Sequence, residues 1–133
     1  MVLTCLEQDI GVPIVIEVYH MRSDLSHDQR RSMMFSENDA AAQALWAADG
    51  YEKVAEIASD DLEFAWRWTN NVDTSWSMEP HASVTVTAPL HVFEGKTYGR
   101  KSSEVGDIFV RNGVRYVVAM VGMRILPETS PQP

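Results

Sequence analysis

The sequence predicts an α+β fold: a small, mostly antiparallel sheet of about five strands with two main helices packed on it and a closing β-hairpin. Three observations predict it. Residues Val12 to Met21 alternate, with Val15, Glu17 and Tyr19 on one side and the almost wholly apolar set Ile14, Ile16, Val18 and His20 on the other. Residues Ser36 to Gly50 hold an alanine-rich run between a helix start and a helix stop signal. Near the end of the chain, Asn112-Gly113 separates two apolar runs, and this dipeptide suits a type I′ hairpin turn best.

Taken in order, the first strand is Val12–Met21, opening at Pro13, where a missing N–H does least harm. Asp24 or Ser26 is placed to cap a short helix running through Arg31. Ser36 caps the clearest helix, Glu37 and Asp39 complement its positive end, and Gly50 is expected to take the left-handed position after its last turn. Tyr51 to Ala58 reads as a strand, with Glu52 and Glu56 on one side. A helix competes there, because Val54, Ile57 and Ala58 also fit a 3.6-residue period.

Asp60 to Asn70 is the second main helix, capped by Asp60 with Glu63 three residues on. Asn71 to His81 is a loop, and Ser83 to Thr87 alternates cleanly as a strand that Pro89 ends. His91 to Phe93 extends or pairs that strand, and Gly95 to Gly106 reads as a connector. Asp107–Arg111 and Val114–Leu126 then form the closing hairpin, with Gly122 expected as a bulge in its second strand.

The 133 residues predict one domain over 1–126, and the proline-rich tail 127–133 is expected to be disordered. A hydrophobic fraction of 45% and four tryptophans argue for a packed core. Cys5 is the only cysteine and cannot form an internal disulfide. The first residues lack the basic start and apolar run of a signal peptide. The longest apolar stretch, Tyr116 to Met123, is far shorter than the roughly 20 residues a membrane span needs. The expected location is the cytoplasm, with no membrane association.

Charge is divided along the chain. Between residues 37 and 63 lie eight acids (Glu37, Asp39, Asp49, Glu52, Glu56, Asp60, Asp61 and Glu63) against Lys53 alone. Between residues 96 and 124 the bases Lys96, Arg100, Lys101, Arg111, Arg115 and Arg124 face only Glu104 and Asp107. Such a division either presents an acidic face to a basic partner or lets the two halves attract each other within the fold.

No motif supplies a catalytic or metal-binding set. His20, His27, His81 and His91 are not spaced as metal ligands, so no metal or cofactor is expected. Cys5 has no neighbouring base, and no Gly-x-Ser-x-Gly elbow is present. Asp60, Asp61 and Glu63 serve most simply as a helix start. Trp66 and Trp68 lie about 200° apart on a helix and cannot make one flat platform. Trp76, in a loop, is either a lid on the core or an exposed anchor for a partner. The stretch Tyr98-Gly-Arg-Lys-Ser-Ser103 offers two bases and two hydroxyls but lacks the phosphate-loop pattern.

Residues 100–126, with Ser103-x-Val105-Gly106-Asp107 before a strand, then Asn112-Gly113 and Tyr116-Val117-Val118, resemble the C-terminal hairpin of small uncharacterised proteins of bacteriophages and plasmids. The segment Phe64-Ala65-Trp66-Arg67-Trp68-Thr69-Asn70 is similar to the helix upstream in such proteins. The resemblance implies an accessory protein of a mobile element acting in a bacterial cytoplasm. The Val-Gly-Asp step is also similar to turns in small β-barrel modules, a likeness of fold only.

Together these readings give two expectations. The first is a non-enzymatic interaction protein that docks on a host or viral protein through the acids from Glu37 to Glu63 and Trp76, its sharpest form a nucleic-acid mimic. That form requires several carboxylates on one face. The second is a nucleic-acid-binding or regulatory protein using Arg100, Lys101, Arg111 and Arg115, which the net charge of −8 disfavours. Exposed edges near Ser83–Thr87 or along the last strand allow a homodimer.

Overall fold

The computed structural model describes residues 14–35, 39–72 and 74–128. Among these described residues, eight strands and three helices follow one another as β1 (Ile16–Met21), α1 (His27–Phe35), α2 (Asp39–Ala47), β2 (Tyr51–Ile57), α3 (Leu62–Arg67), β3 (Val84–Val86), β4 (His91–Phe93), β5 (Lys96–Tyr98), β6 (Ile108–Arg111), β7 (Val114–Val118) and β8 (Met123–Leu126). Six strands form one antiparallel sheet in the order β3-β2-β1-β6-β7-β8, and β4 pairs only with β5. The α+β class stands, with more strands than the sequence suggested, and the short helix expected after Asp24 or Ser26 is α1, which runs on to Phe35.

β1 is central, which is why its residues are so apolar. Its alternation sends Ile16 and Val18 into a core shared with α3, Trp76 and Phe109, while Met21 joins a second core on the opposite face with Met33, Leu45, Ile108 and Leu126. Neighbours such as Ile108 and Phe109, or Val117 and Val118, therefore belong to different cores. The sheet is a middle layer, with α1 and α2 on one face and α3 with the loop after it on the other.

Local signals explain most element ends. Ser26 starts α1 by a reciprocal cap, its hydroxyl accepting from the Gln29 N–H at 3.1 Å while the Gln29 side chain accepts from the Ser26 N–H at 2.9 Å. The proposed cap Ser36 and the acid Glu37 lie outside the described residues, as do Val12, Pro13, Cys5 and nearly all of the proline-rich tail. α2 ends in a Schellman motif: Gly50 N–H reaches Leu45 O at 2.8 Å and Asp49 N–H reaches Trp46 O at 3.1 Å. The left-handed residue is Asp49 (φ 60°), not Gly50 as expected. Gly50 is needed for space, because a Cβ there would lie 2.2 Å from Leu45 Cδ1. α3 is capped by Asp61 rather than Asp60, the Asp61 carboxylate accepting from Glu63 N–H at 2.9 Å and Phe64 N–H at 3.3 Å, and it ends at Arg67.

Three further expectations change. The β1–β2 register slips between Val18↔Ala55 and Tyr19↔Lys53, leaving Val54 as an extra residue. That bulge reverses the alternation, so Glu52 pairs with His20 and Glu56 with Glu17 on opposite faces, not on one. Gly122 (φ 67°) turns the chain between β7 and β8 instead of bulging one long strand. The stretch from Gly95 is not all connector, because β5 folds back on β4 through a Glu94-Gly95 turn. The Asn112-Gly113 turn is as expected, with φ of 52° and 77°.

Candidate functional site

The charged residues singled out by the sequence are mostly occupied by one another. Asp39 pairs with Arg124 at 3.0 Å and Asp49 with Arg22 at 3.3 Å. Lys53 bridges Glu17, at 2.9 Å, and Glu56, which holds its ammonium well above the usual lysine range. Glu52 meets Arg100 at 2.5 Å. Asp60, Asp61 and Glu63 sit exposed at the start of α3. The described acids thus spread over both faces of the sheet rather than gathering on one.

The basic residues fare similarly. Arg100 is buried, its guanidinium donating to Pro89 O at 2.9 Å and to Glu52. Lys101 lies 3.1 Å from Glu104 and 3.5 Å from Asp107. Arg111 donates to Asp60 O and to the Tyr116 hydroxyl while stacking on that ring. Arg115 lies over Trp46 and 3.8 Å from Glu128. Arg111 pairs with Val114 across the turn and Arg115 with Val110, so they face opposite sides and form no shared patch.

Two features that charge layout did not reveal stand out, because buried polar groups and exposed apolar groups are the informative exceptions in a folded protein. The first is a buried polar cluster under the segment 100–106. Thr69 donates to Ala65 O at 2.9 Å, Ser103 meets Thr69 Oγ1 at 2.7 Å, and His20 Nε2 meets Ser103 Oγ at 2.9 Å. With the Thr69 proton spent on Ala65, the chain of donors runs from His20 Nε2–H to Ser103 to Thr69. His20 Nδ1 is then left bare, buried and without a partner among the described residues.

Asp107 completes this cluster. Its two oxygens accept from the Met21 N–H and the Glu104 N–H, each at 2.8 Å, and Oδ2 lies 3.8 Å from His20 Nε2. Asp107 is wholly buried, which pushes its carboxyl up to about 7 against the pull of Lys101 and the two N–H donors. Burial pushes His20 down to about 2, helped by the nearby charges of Lys101 and Arg100. Trp76 is 3% exposed and closes the cluster, its ring edge-on to His20 and its indole N–H on Lys101 O at 2.8 Å. It is the lid of the core and not an exposed anchor.

Serine, histidine and aspartate side by side invite comparison with a nucleophilic triad. A triad needs the carboxylate on the imidazole nitrogen opposite the serine. Here Ser103 and Asp107 both approach Nε2, and the three side chains are nearly or wholly out of solvent. The arrangement holds structure together and does not activate Ser103.

The second feature is the β4–β5 ribbon, exposed along its whole length. Cross-strand pairs put His91, Phe93, Lys96 and Tyr98 on one side and Val92 and Thr97 on the other. Val92 is 69% exposed, Phe93 64% and Tyr98 45%. Its root is fixed, because Arg100 just after β5 grips Pro89 just before β4 and ties both to Glu52 of β2.

Neither a family model, nor a curated protein, nor a solved structure resembles the chain at a significant level. The functional reading therefore rests on the geometry.

Of the residues that build these two features, the sequence points to Tyr98, Arg100, Lys101 and Ser103 only as one charged, hydroxyl-bearing stretch, offers Trp76 as lid or anchor, and gives no role to His20, Thr69, Asp107 and Phe93. A signal existed for His20, the one polar residue on the apolar side of β1. An apolar cavity of about 260 Å³ between α1 and α2 is lined by Gln29, Met33, Ala41, Ala44, Leu45 and Ala48, and it lies on the other face of the sheet from the buried cluster.

Proposed function

We propose that this chain is a non-enzymatic interaction protein that docks on a host or viral protein through the β4–β5 arm. The observation that carries this is the arm itself: a ribbon of two short strands, joined to no sheet, with Val92, Phe93 and Tyr98 in solvent. An isolated two-stranded hairpin is marginal in water. Each such side chain left exposed forgoes about 1.5–3 kcal/mol of burial. Contact with a partner recovers both terms, and aromatic side chains are favoured anchors in interfaces. The Arg100 grip on the root supports the same reading, since an arm held at its base loses less freedom on binding.

The acids keep a supporting role. With a net charge of −8 and exposed Asp49, Asp60, Asp61 and Glu63, the molecule attracts basic partners at long range. The mobile-element setting rests on the likeness of residues 100–126 and of the segment Phe64–Asn70 to such proteins. The nucleic-acid alternative loses support because Arg100, Lys101, Arg111 and Arg115 already have partners within the chain.

The test is affinity capture from the host lysate with wild type, the arm variant Phe93→Ser/Tyr98→Ser, and the acid variant Asp49→Asn/Glu63→Gln. The expected result is a captured protein that the arm variant loses and the acid variant retains, more weakly at high salt. Retention by the arm variant with loss by the acid variant would move the docking surface to the acids.

A further inference from the structure

The two edges of the main sheet are not closed alike. At one edge is β3, where the outward Val84 N–H is already spent on His81 O at 2.9 Å. At the other is β8. Ala119 N–H bonds Gly122 O at 2.9 Å, and bonding alternates from there, so Arg124 and Leu126 turn their backbone groups toward β7. Met123 and Ile125 turn theirs outward, and no described residue meets them.

The sheet face is unfinished at the same edge. One cross-strand row on the α3 side runs Val18, Phe109, Tyr116, Ile125. Val18 and Phe109 are buried, Tyr116 is half-buried and Ile125 is 58% exposed, so the cover thins out before β8. On the opposite face Leu126 is 2% exposed and shares a core with Leu45 of α2. Folded proteins commonly blunt an open edge with charge, proline or a bulge. The one charge on β8, Arg124, is neutralised by Asp39 at 3.0 Å, and Pro127 stands only past its end.

We propose that β8 pairs antiparallel with β8 of a second copy across a two-fold axis at Arg124, joining two six-stranded sheets edge to edge. The outward groups select this register. An axis at Arg124 sets Met123 opposite Ile125 of the second copy, and Ile125 opposite its Met123, with every outward N–H and C=O of the two residues bonded. An axis at Ile125 would send Met123 to Pro127, which has no N–H and whose carbonyl is held by Gln43 Nε2. The same axis brings Met123 and Ile125 of the two copies together on the uncovered face, as cross-strand apolar pairs. On the other face two Arg124–Asp39 pairs meet, each already neutral, so like charges do not confront one another bare. A second copy is the occupant because the edge answers itself: the same three residues supply the strand groups, the apolar pair and the balanced charge.

The ladder is short, since the Met120-Val121 turn ends it on one side and Pro127 on the other, and the dimer is therefore of the weak class. The arm follows β3, at the far edge of each sheet, so the dimer leaves both arms free and offers a partner two of them. The pairing itself does not rest on the arm having a partner.

Sedimentation equilibrium between about 10 µM and about 1 mM tests it, with a dissociation constant of about 100 µM expected. The mass of wild type should rise from 15.0 kDa toward twice that value. Ile125→Lys, which drives a charge against Met123 of the second copy, should stay at 15.0 kDa throughout. The arm variant Phe93→Ser/Tyr98→Ser should associate as wild type does. Amide exchange of wild type supplies a readout that needs no variant: on going to about 1 mM, the Met123 and Ile125 amides should slow about fivefold while Arg124, bonded to β7, does not change. A mass of 15.0 kDa at about 1 mM overturns the proposal. So does a dimer that survives Ile125→Lys, one that the arm variant abolishes, or one in which the Met123 and Ile125 amides stay unprotected.

Discussion

The arm at residues 91–98 and the connector at residues 100–106 are separated by Gly99 alone and similar in length, yet they are ordered by opposite means. The connector contains no strand or helix, and it is held by its side chains and backbone to Thr69, Asn71, Ser77 and Asp107. The arm has regular strands and a turn, and its side chains lie in solvent. Secondary structure and anchorage are thus separate properties. A segment can be irregular and fixed, or regular and free, and the free one has surface to give to a partner.

The largest expected effect comes from truncating an aromatic on each side of this divide. Trp76→Ala removes the ring that closes the polar cluster and the indole donor that holds Lys101 O. It should cost about 3–5 kcal/mol, as large core truncations do. Tyr98→Ala removes an aromatic of the arm and should change stability by less than about 0.5 kcal/mol. Denaturant unfolding of the two variants beside wild type measures both. Similar losses in the two would mean that the arm is part of the core.

A smaller contrast concerns hydroxyls. Ser103→Ala takes away the acceptor of His20 Nε2–H and leaves that donor buried without a partner. The expected cost is about 1–3 kcal/mol, set by the unsatisfied group and not by the lost methyl-sized volume. Thr97→Ala on the arm removes a hydroxyl that water can replace and should be neutral within about 0.5 kcal/mol. Thermal unfolding checks the pair, and a neutral Ser103→Ala would show that the cluster is not what fastens the connector.

How much of this was legible depended on the distance over which each cause acts. The apolar run of β1, the run of alanines in α2 and the Asn112-Gly113 turn are written in neighbouring residues, and the elements appear where those residues put them. The bulge at Val54 is imposed by pairing with Tyr19 and Val18, more than 30 residues away, so Glu52 and Glu56 were placed on the same face when they lie on opposite ones. Ser103 looked like part of a charged loop because its partners, Thr69 and His20, are 34 and 83 positions distant. Trp76 offered two readings, and its burial follows from the connector closing over it, which no local pattern encodes.

The two hairpins sharpen the same point and lead to the smallest prediction. Asn112-Gly113 and Glu94-Gly95 have nearly the same backbone, with φ of 52° and 77° in the first turn and 51° and 78° in the second. The first was readable because asparagine tolerates the left-handed region, and the second was hidden because glutamate does not. Glu94 therefore carries a cost that the sheet does not share, since nothing but the two short strands compensates it. Replacing Glu94 with Asn should relieve this by about 0.5–1 kcal/mol within the arm. Because the arm does not contribute to the cores, global melting should move by no more than about 1–2 °C while cross-strand contacts between His91 and Tyr98 strengthen in NMR spectra. A large rise in melting temperature would instead couple the arm to the sheet and erase the division between a fixed connector and a free arm.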